Sequence, residues 1–270
     1  MVNKLVVLLY ILAIFSCSST KTINIPVRNE LAITGSEFYR KSVSFNWAQR
    51  DSLAVKEILS GNIPSFLRFL VPVDSEIKDS SGKTINARYF VSSDYLSIGS
   101  NDDWARIPLT PMAAQQIADS FHCFLPTRKM VDDIYKAAVV KPEPVPMYAF
   151  RDSTITMYQH HLIVEGQRNL RKGLIAGTKK DVVISERIIK DNRQNRVAIY
   201  GWHKLDGKPI QPLYSGHVNW YTDYSHGIRL VYQIIYIDGR PMNYIDVLKD
   251  KSLKKLLCDE TDCNFYRYSY

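Results

Sequence analysis

Around Gly177 the chain changes texture, and that change limits what it can fold into more than any other feature. Before it, apolar residues recur at helical spacing between capping signals. Gln49 to Leu59 carries Leu53, Ile58 and Leu59 on one face and stops at Gly61-Asn62. Thr110-Pro111 sets an N-cap oxygen before a proline at the first helical position, where its missing N–H costs nothing. Pro126-Thr127 opens a helix from Arg128 to Ala138, and Asp152 or Ser153 can cap another over residues 154–168. Strands are expected earlier only at Ala87–Val91 and Tyr95–Ile98. After Gly177, residues 181–185, 196–201 and 227–236 read as strands, separated by Asp206-Gly207 and Asp238-Gly239 turns. The 270 residues have room for one large domain or two small ones, and no internal repeat divides them. The segregation predicts an α+β fold, a helix-rich N-terminal half packed on a mainly antiparallel C-terminal sheet in a single domain.

The N-terminus sets the expected address. Residues 1–16 pair Lys4 with an apolar run from Leu5 to Phe15, too short to cross a bilayer as a finished helix and suited to a secretory signal peptide. The run ends at Ser16-Cys17-Ser18-Ser19. This arrangement resembles the lipobox of bacterial lipoproteins, with Phe15 a departure from its strictest form. The resemblance implies that Cys17 is the lipidation site, acylated to tether the chain to a membrane of the bacterial cell envelope on its extracytoplasmic side. Residues 17–37 then read as a lipidated tether and 38–270 as the folded domain. Lys and Arg number 35 against 27 Asp and Glu, a formal charge of +8. That surplus favours an anionic partner such as a cell-wall polymer or acidic glycan, and nucleic acid is not expected.

Of the other cysteines, Cys258 and Cys263 enclose four residues and suit a local disulfide in an oxidising envelope. No second pair completes a four-cysteine zinc site. Cys123 is left over, either a buried apolar residue or a reactive thiol.

The chain has no GxGxxG, phosphate-cradling glycine loop, HExxH helix or GxSxG elbow, which argues against nucleotide-binding and serine-hydrolase chemistry. Three of its six histidines fall within residues 203–226, interleaved with aromatic residues and Asp223. Trp202, His203, His217, Trp220, Tyr221 and Asp223 are therefore the expected lining of a polar, substrate-binding cleft.

Three readings use that cleft. In the first, Cys123 beside a helix start and the cations Arg128 and Lys129 is a thiolate nucleophile, His226 its general base and Asp238 the orienting carboxylate. The order of Cys123, Ser225-His226 and Asp238 is similar to papain-like cell-wall peptidases of the NlpC superfamily, which implies hydrolysis of peptide or amide bonds without a cofactor. In the second, His203, His217, Asp223 and His226 hold zinc and activate water, as zinc peptidases of the lysostaphin type do with His and Asp. In the third, Trp202, Trp220, Tyr221 and Tyr224 stack on sugar rings and the protein is a non-catalytic glycan-binding lipoprotein. Elsewhere, His160-His161 on a helix point about 100° apart, so at most one faces a given site, and Gly177 to Asp181 could bind an anion through its lysines but reads rather as a solvated turn before a strand.

Overall fold

A computed structural model describes residues 21–270; the expected signal peptide, residues 1–16, and Cys17 lie outside them. Among the described residues backbone pairing begins at Lys21. β1 (Lys21–Thr22) pairs antiparallel with the start of β2 (Phe69–Lys78), and Ile23 and Ile25 are buried in the core. Residues 21–37, expected as part of a tether, therefore pack on the fold, because their two isoleucines have apolar surface to cover. α1 (Gly35–Lys41) starts at a capping box in which Thr34 accepts from the Glu37 amide. α2 (Trp47–Leu59) has the same device in Asn46 and Gln49.

The long hairpin of β2 and β3 (Thr84–Ser92) turns on Asp79, whose carboxylate accepts from the Ser81 and Lys83 amides. The small β4 (Ser97–Gly99) and β5 (Trp104–Arg106) ribbon follows. α3 (Pro111–Ser120) has the expected cap, Thr110 accepting from the Ala113 amide, and the same hydroxyl donates to the buried Asp51 of α2 at 2.6 Å. β6 (Cys123–Phe124) leads into α4 (Arg128–Ala137), whose buried stripe is Met130, Val131, Ile134 and Tyr135. α5 (Thr154–Arg168) is capped by Ser153.

The rest is mostly β. β7 (Lys180–Val183), a short α6 (Arg187–Lys190), β8 (Arg196–His203), β9 (Pro209–Val218) and β10 (His226–Gly227) come first. β11 (Val231–Tyr232), β12 (Ile234–Ile237), β13 (Arg240–Asn243) and α7 (Tyr244–Lys249) complete the order. Among the described residues the main sheet runs β1-β2-β3-β11-β6, with β12 also on β3 and β13 outside it; a second sheet runs β10-β7-β8-β9. The fold is α+β. The expected ordering of helices before strands holds only roughly, since the β2–β3 hairpin is the backbone of the main sheet and lies in the N-terminal half.

Residues 227–236, expected as one strand, are three. The chain leaves the second sheet at β10 and enters the main sheet at β11, so a single ladder is impossible. Arg229 sits at the crossing, 1% exposed, donating to the Ser92 carbonyl at 2.8 Å and the Ile175 carbonyl at 2.7 Å. Its guanidinium lies 4.3 Å from the centre of the Tyr95 ring, and Tyr95 donates to Asp181 of β7 at 3.1 Å. Gly227 is required beside it, since a Cβ would come within 2.6 Å of both Lys179 and Tyr95. Cys258 and Cys263 form the expected disulfide.

Arg229→Ala strips a buried cation from two carbonyls and from the neighbourhood of Asp181. It is expected to lower the unfolding free energy by about 3–5 kcal/mol. Urea denaturation followed by fluorescence checks this, and Arg229→Lys should recover only part of the loss, since an ammonium cannot span both carbonyls in the guanidinium's plane.

Candidate functional site

Lys180 and His226 are register partners on the parallel strands β7 and β10, so their side chains leave the same face of the second sheet. The ladder between β8 and β9 slips register twice, β9 carrying the extra residue each time, and brings His217 opposite Val197 at its end. The chain then folds back through residues 219–225, the Tyr221 amide donating to Val218 and the His226 amide to the Asp223 carbonyl. This return brings four of the expected residues together. The His217 ring centre is 4.6 Å from that of Tyr221 and 6.0 Å from that of His226, and Tyr221 lies 6.0 Å from His226.

Asp223 anchors the group. One carboxylate oxygen accepts from the Ser225 amide at 2.9 Å and hydroxyl at 2.5 Å. The other accepts from Arg151 at 3.0 Å and the Tyr221 hydroxyl at 3.3 Å. Burial works to raise its pKa, but His226, the Ser225 hydroxyl and Lys180 outweigh burial and hold the carboxyl below its ordinary range. His226 goes the other way: burial draws its imidazole down to about 4 despite Asp223, so it is neutral at pH 7. Its Nε2 is buried without a hydrogen-bond partner among the described residues. His217, half-buried, is lowered by the same cause.

Two lysines and an arginine complete the surroundings. The Lys180 ammonium lies 5.3 Å from the centre of the Trp202 ring and makes no ion pair among the described residues. Burial lowers its pKa. Lys179 is fully buried against His160 Nδ1 at 3.0 Å and the Tyr224 carbonyl, and burial draws its amine down to about 7. Arg151 is partly open to solvent and the Trp220 ring is 42% exposed. The arrangement thus offers one partly open cation, Arg151, and a ring at the surface, with the buried Lys180, neutral imidazoles and a fixed carboxylate beneath.

Other expected residues go elsewhere. Trp202 is buried and held at φ +57°, packed on Tyr224, so it is not available to stack on a ligand from solvent. His203 stacks on Tyr135 at 4.4 Å and bonds Asp132 at 2.9 Å, lining a separate recess of about 450 Å³ with Tyr200 and Lys136. His203 thus stands apart from His217, Asp223 and His226, and among the described residues no three His, Cys, Asp or Glu side chains are grouped to hold a metal.

The expected triad of Cys123, His226 and Asp238 does not assemble; no hydrogen bond joins any two of them. Cys123 lies on β6 opposite Tyr232, sealed in the core, its thiol directed at the Phe121 carbonyl and its pKa pushed up by burial. Asp238 is in the exposed β12–β13 turn and accepts from the Asn86 amide at 3.0 Å. Asn86 is five residues along β3 from Val91, where β11 pairs, so Asp238 lies about 17 Å along the sheet from that point.

Arg151 is absent from the expected site residues, while Lys179 and Lys180 are expected only as the less favoured anion-binding alternative and His160 as a solvated or core residue. The stretch from Gly177 to Asp181, expected as a solvated turn, is buried throughout. The signal was its setting, between Leu174-Ile175-Ala176 and Val182-Val183-Ile184, apolar on both sides.

His226 contributes stability only while neutral. An unfolded imidazole takes up its proton near pH 6.5 and the folded one near 4, so the contribution is complete above pH 6.5 and is lost as pH falls to 4. The loss amounts to about 3 kcal/mol. Denaturation midpoints measured from pH 7 to 4.5 should fall steeply for the parent and less steeply for His226→Gln. The remaining slope comes from His160 and His161, both also lowered by burial.

Compared with protein-family models, curated proteins and solved structures, the chain matches none, so the reading of this site rests on its own residues.

Proposed function

We propose that this protein is a lipid-anchored component of the bacterial cell envelope that binds an acidic cell-wall or glycan polymer at the His217–His226 site. The observation that carries the reading is the Lys180 ammonium, buried near Arg151 and Asp223 with no ion pair among the described residues, and with Trp220 and Tyr221 near the surface above it. Cations at a partly dry site hold anionic groups by charge-assisted hydrogen bonds, and the rings supply stacking area for sugars. The surplus of Lys and Arg over Asp and Glu adds long-range attraction.

Titration with a uronic-acid polymer, alongside pelleting with purified peptidoglycan, tests the binding. Lys180→Met is expected to weaken it about tenfold, and Trp220→Ala also weakens it. Lys41→Met, on the exposed end of α1, should leave it unchanged. Equal binding by all three variants would remove the site from the proposal. For the anchor, a chain produced in bacteria should incorporate labelled palmitate, and Cys17→Ser should not.

A second reading, hydrolysis of the bound polymer, is favoured by one observation: the unpaired, neutral Nε2 of His226 beside an anionic Asp223 is a proton acceptor in waiting. New fragments from peptidoglycan that vanish in His226→Gln and persist in Cys123→Ala would establish base catalysis without a thiol. Loss in Cys123→Ala alone would return the nucleophile to that cysteine. No fragments at all would leave binding as the function.

A further inference from the structure

The end of α5 carries an exposed, strained leucine among cations. Asn169 and Leu170 both adopt left-handed backbone, at φ +47° and +59°, and the Leu170 side chain is 92% exposed. A branched apolar residue is costly in that conformation, and its exposure returns nothing in the isolated chain. On either side stand Arg168, Arg171 and Lys172. Arg168 is engaged by Glu165 and lies near Asp94, but Arg171 and Lys172 are exposed and make no ion pair among the described residues.

This loop lies next to the point where the N-terminal segment joins the fold. Arg168 and Lys172 line a groove of about 670 Å³ together with Phe66, Phe69 and Pro72. Phe69, 50% exposed, is the register partner of Thr22 on β1. Three residues lie between Cys17 and Lys21, four Cα–Cα links in all. However they run, they span at most about 14 Å.

We infer that the loop Arg168–Lys172 and Phe69 form a membrane-apposed face, with Leu170 entering the interfacial layer and Arg171 and Lys172 against anionic lipid headgroups. The inference rests on the lipid anchor at Cys17, which holds β1 within that reach of the bilayer. An apolar tip flanked by cations is the composition that gains most at such an interface, where the side chain leaves water and the charges keep it. It also gives the exposed Leu170 a burial that the isolated chain lacks.

The experiment uses the full lipidated chain reconstituted into vesicles containing phosphatidylglycerol. A nitroxide is placed at Leu170→Cys, at Phe69→Cys and, as a control, at Leu205→Cys in the exposed β8–β9 turn; the native Cys123 is buried and the other two described cysteines are bridged. Accessibility to oxygen relative to a water-soluble nickel reagent should be about threefold or more higher at 170 than at 205, with 69 between them. Equal, water-like values at all three positions on anchored protein would overturn the face while leaving the anchor standing. Absence of palmitate, with protein that floats free of vesicles, would overturn the anchor and the face with it.

Discussion

Arg229 is the constraint on which the arrangement of the two sheets depends. The chain must pass from the second sheet to the main one between β10 and β11, and a crossing segment inside a core leaves carbonyls without ladder partners. The crossing segment's own carbonyls on Ile228 and Leu230 accept from the Leu96 and Ser92 amides, and the Arg229 guanidinium donates to the Ser92 and Ile175 carbonyls of the segments it passes and lies against Tyr95, which in turn reaches Asp181. Burial of Asp181 pushes its pKa up to about 6, with Arg229 and the Tyr95 hydroxyl opposing. An apolar residue at 229 could fill the volume but could not satisfy the carbonyls, and each buried carbonyl left unpaired costs about 1–3 kcal/mol.

The site inherits its geometry from that joint. Along β7 successive side chains alternate faces, so fixing Asp181 toward Tyr95 and Arg229 sends Lys180 to the opposite face, beside His226. Gly227, opposite Asp181, lets β10 approach closely enough for the pairing. A one-residue slip here would exchange Lys180 and Asp181 and place a carboxylate where the site now has a cation. The cation beside His226 and the carboxylate that helps join the sheets thus occupy the two faces of one short strand.

Much of the helical part was legible. The caps at Thr110, Thr127 and Ser153 act through local oxygens that any reader of the chain can find, and those helices start where the caps put them. The Asp206-Gly207 and Asp238-Gly239 turns are equally local, with Gly207 and Gly239 at φ +87° and +82°. What could not be read is what depends on distant partners. The break in residues 227–236 comes from two sheets competing for one apolar run. His203, adjacent to Trp202 in sequence, is turned away to Asp132 by left-handed backbone at Gly201 and Trp202. The convergence of His217, Tyr221, Asp223 and His226 was expected from their crowding. Arg151 joins them from the N-terminal end of α5, and no spacing rule connects it to them.

The charge of the chain takes on a different meaning once burial is known. Among buried residues the cations Arg50, Arg106, Lys179, Lys180 and Arg229 are matched in number by the acids Asp51, Asp94, Asp181, Glu186 and Asp223. Arg106 and Asp94 meet at 2.7 Å with both side chains fully buried. The interior is therefore formally balanced, as the cost of burying a lone ion requires, and the net positive charge of the chain does not arise there. Inside the fold the same residue types serve geometry instead. Arg106 and Arg229 bridge separate segments of the chain, Lys179 joins α5 to the loop before β10, and Lys180, like Arg50, makes no ion pair among the described residues.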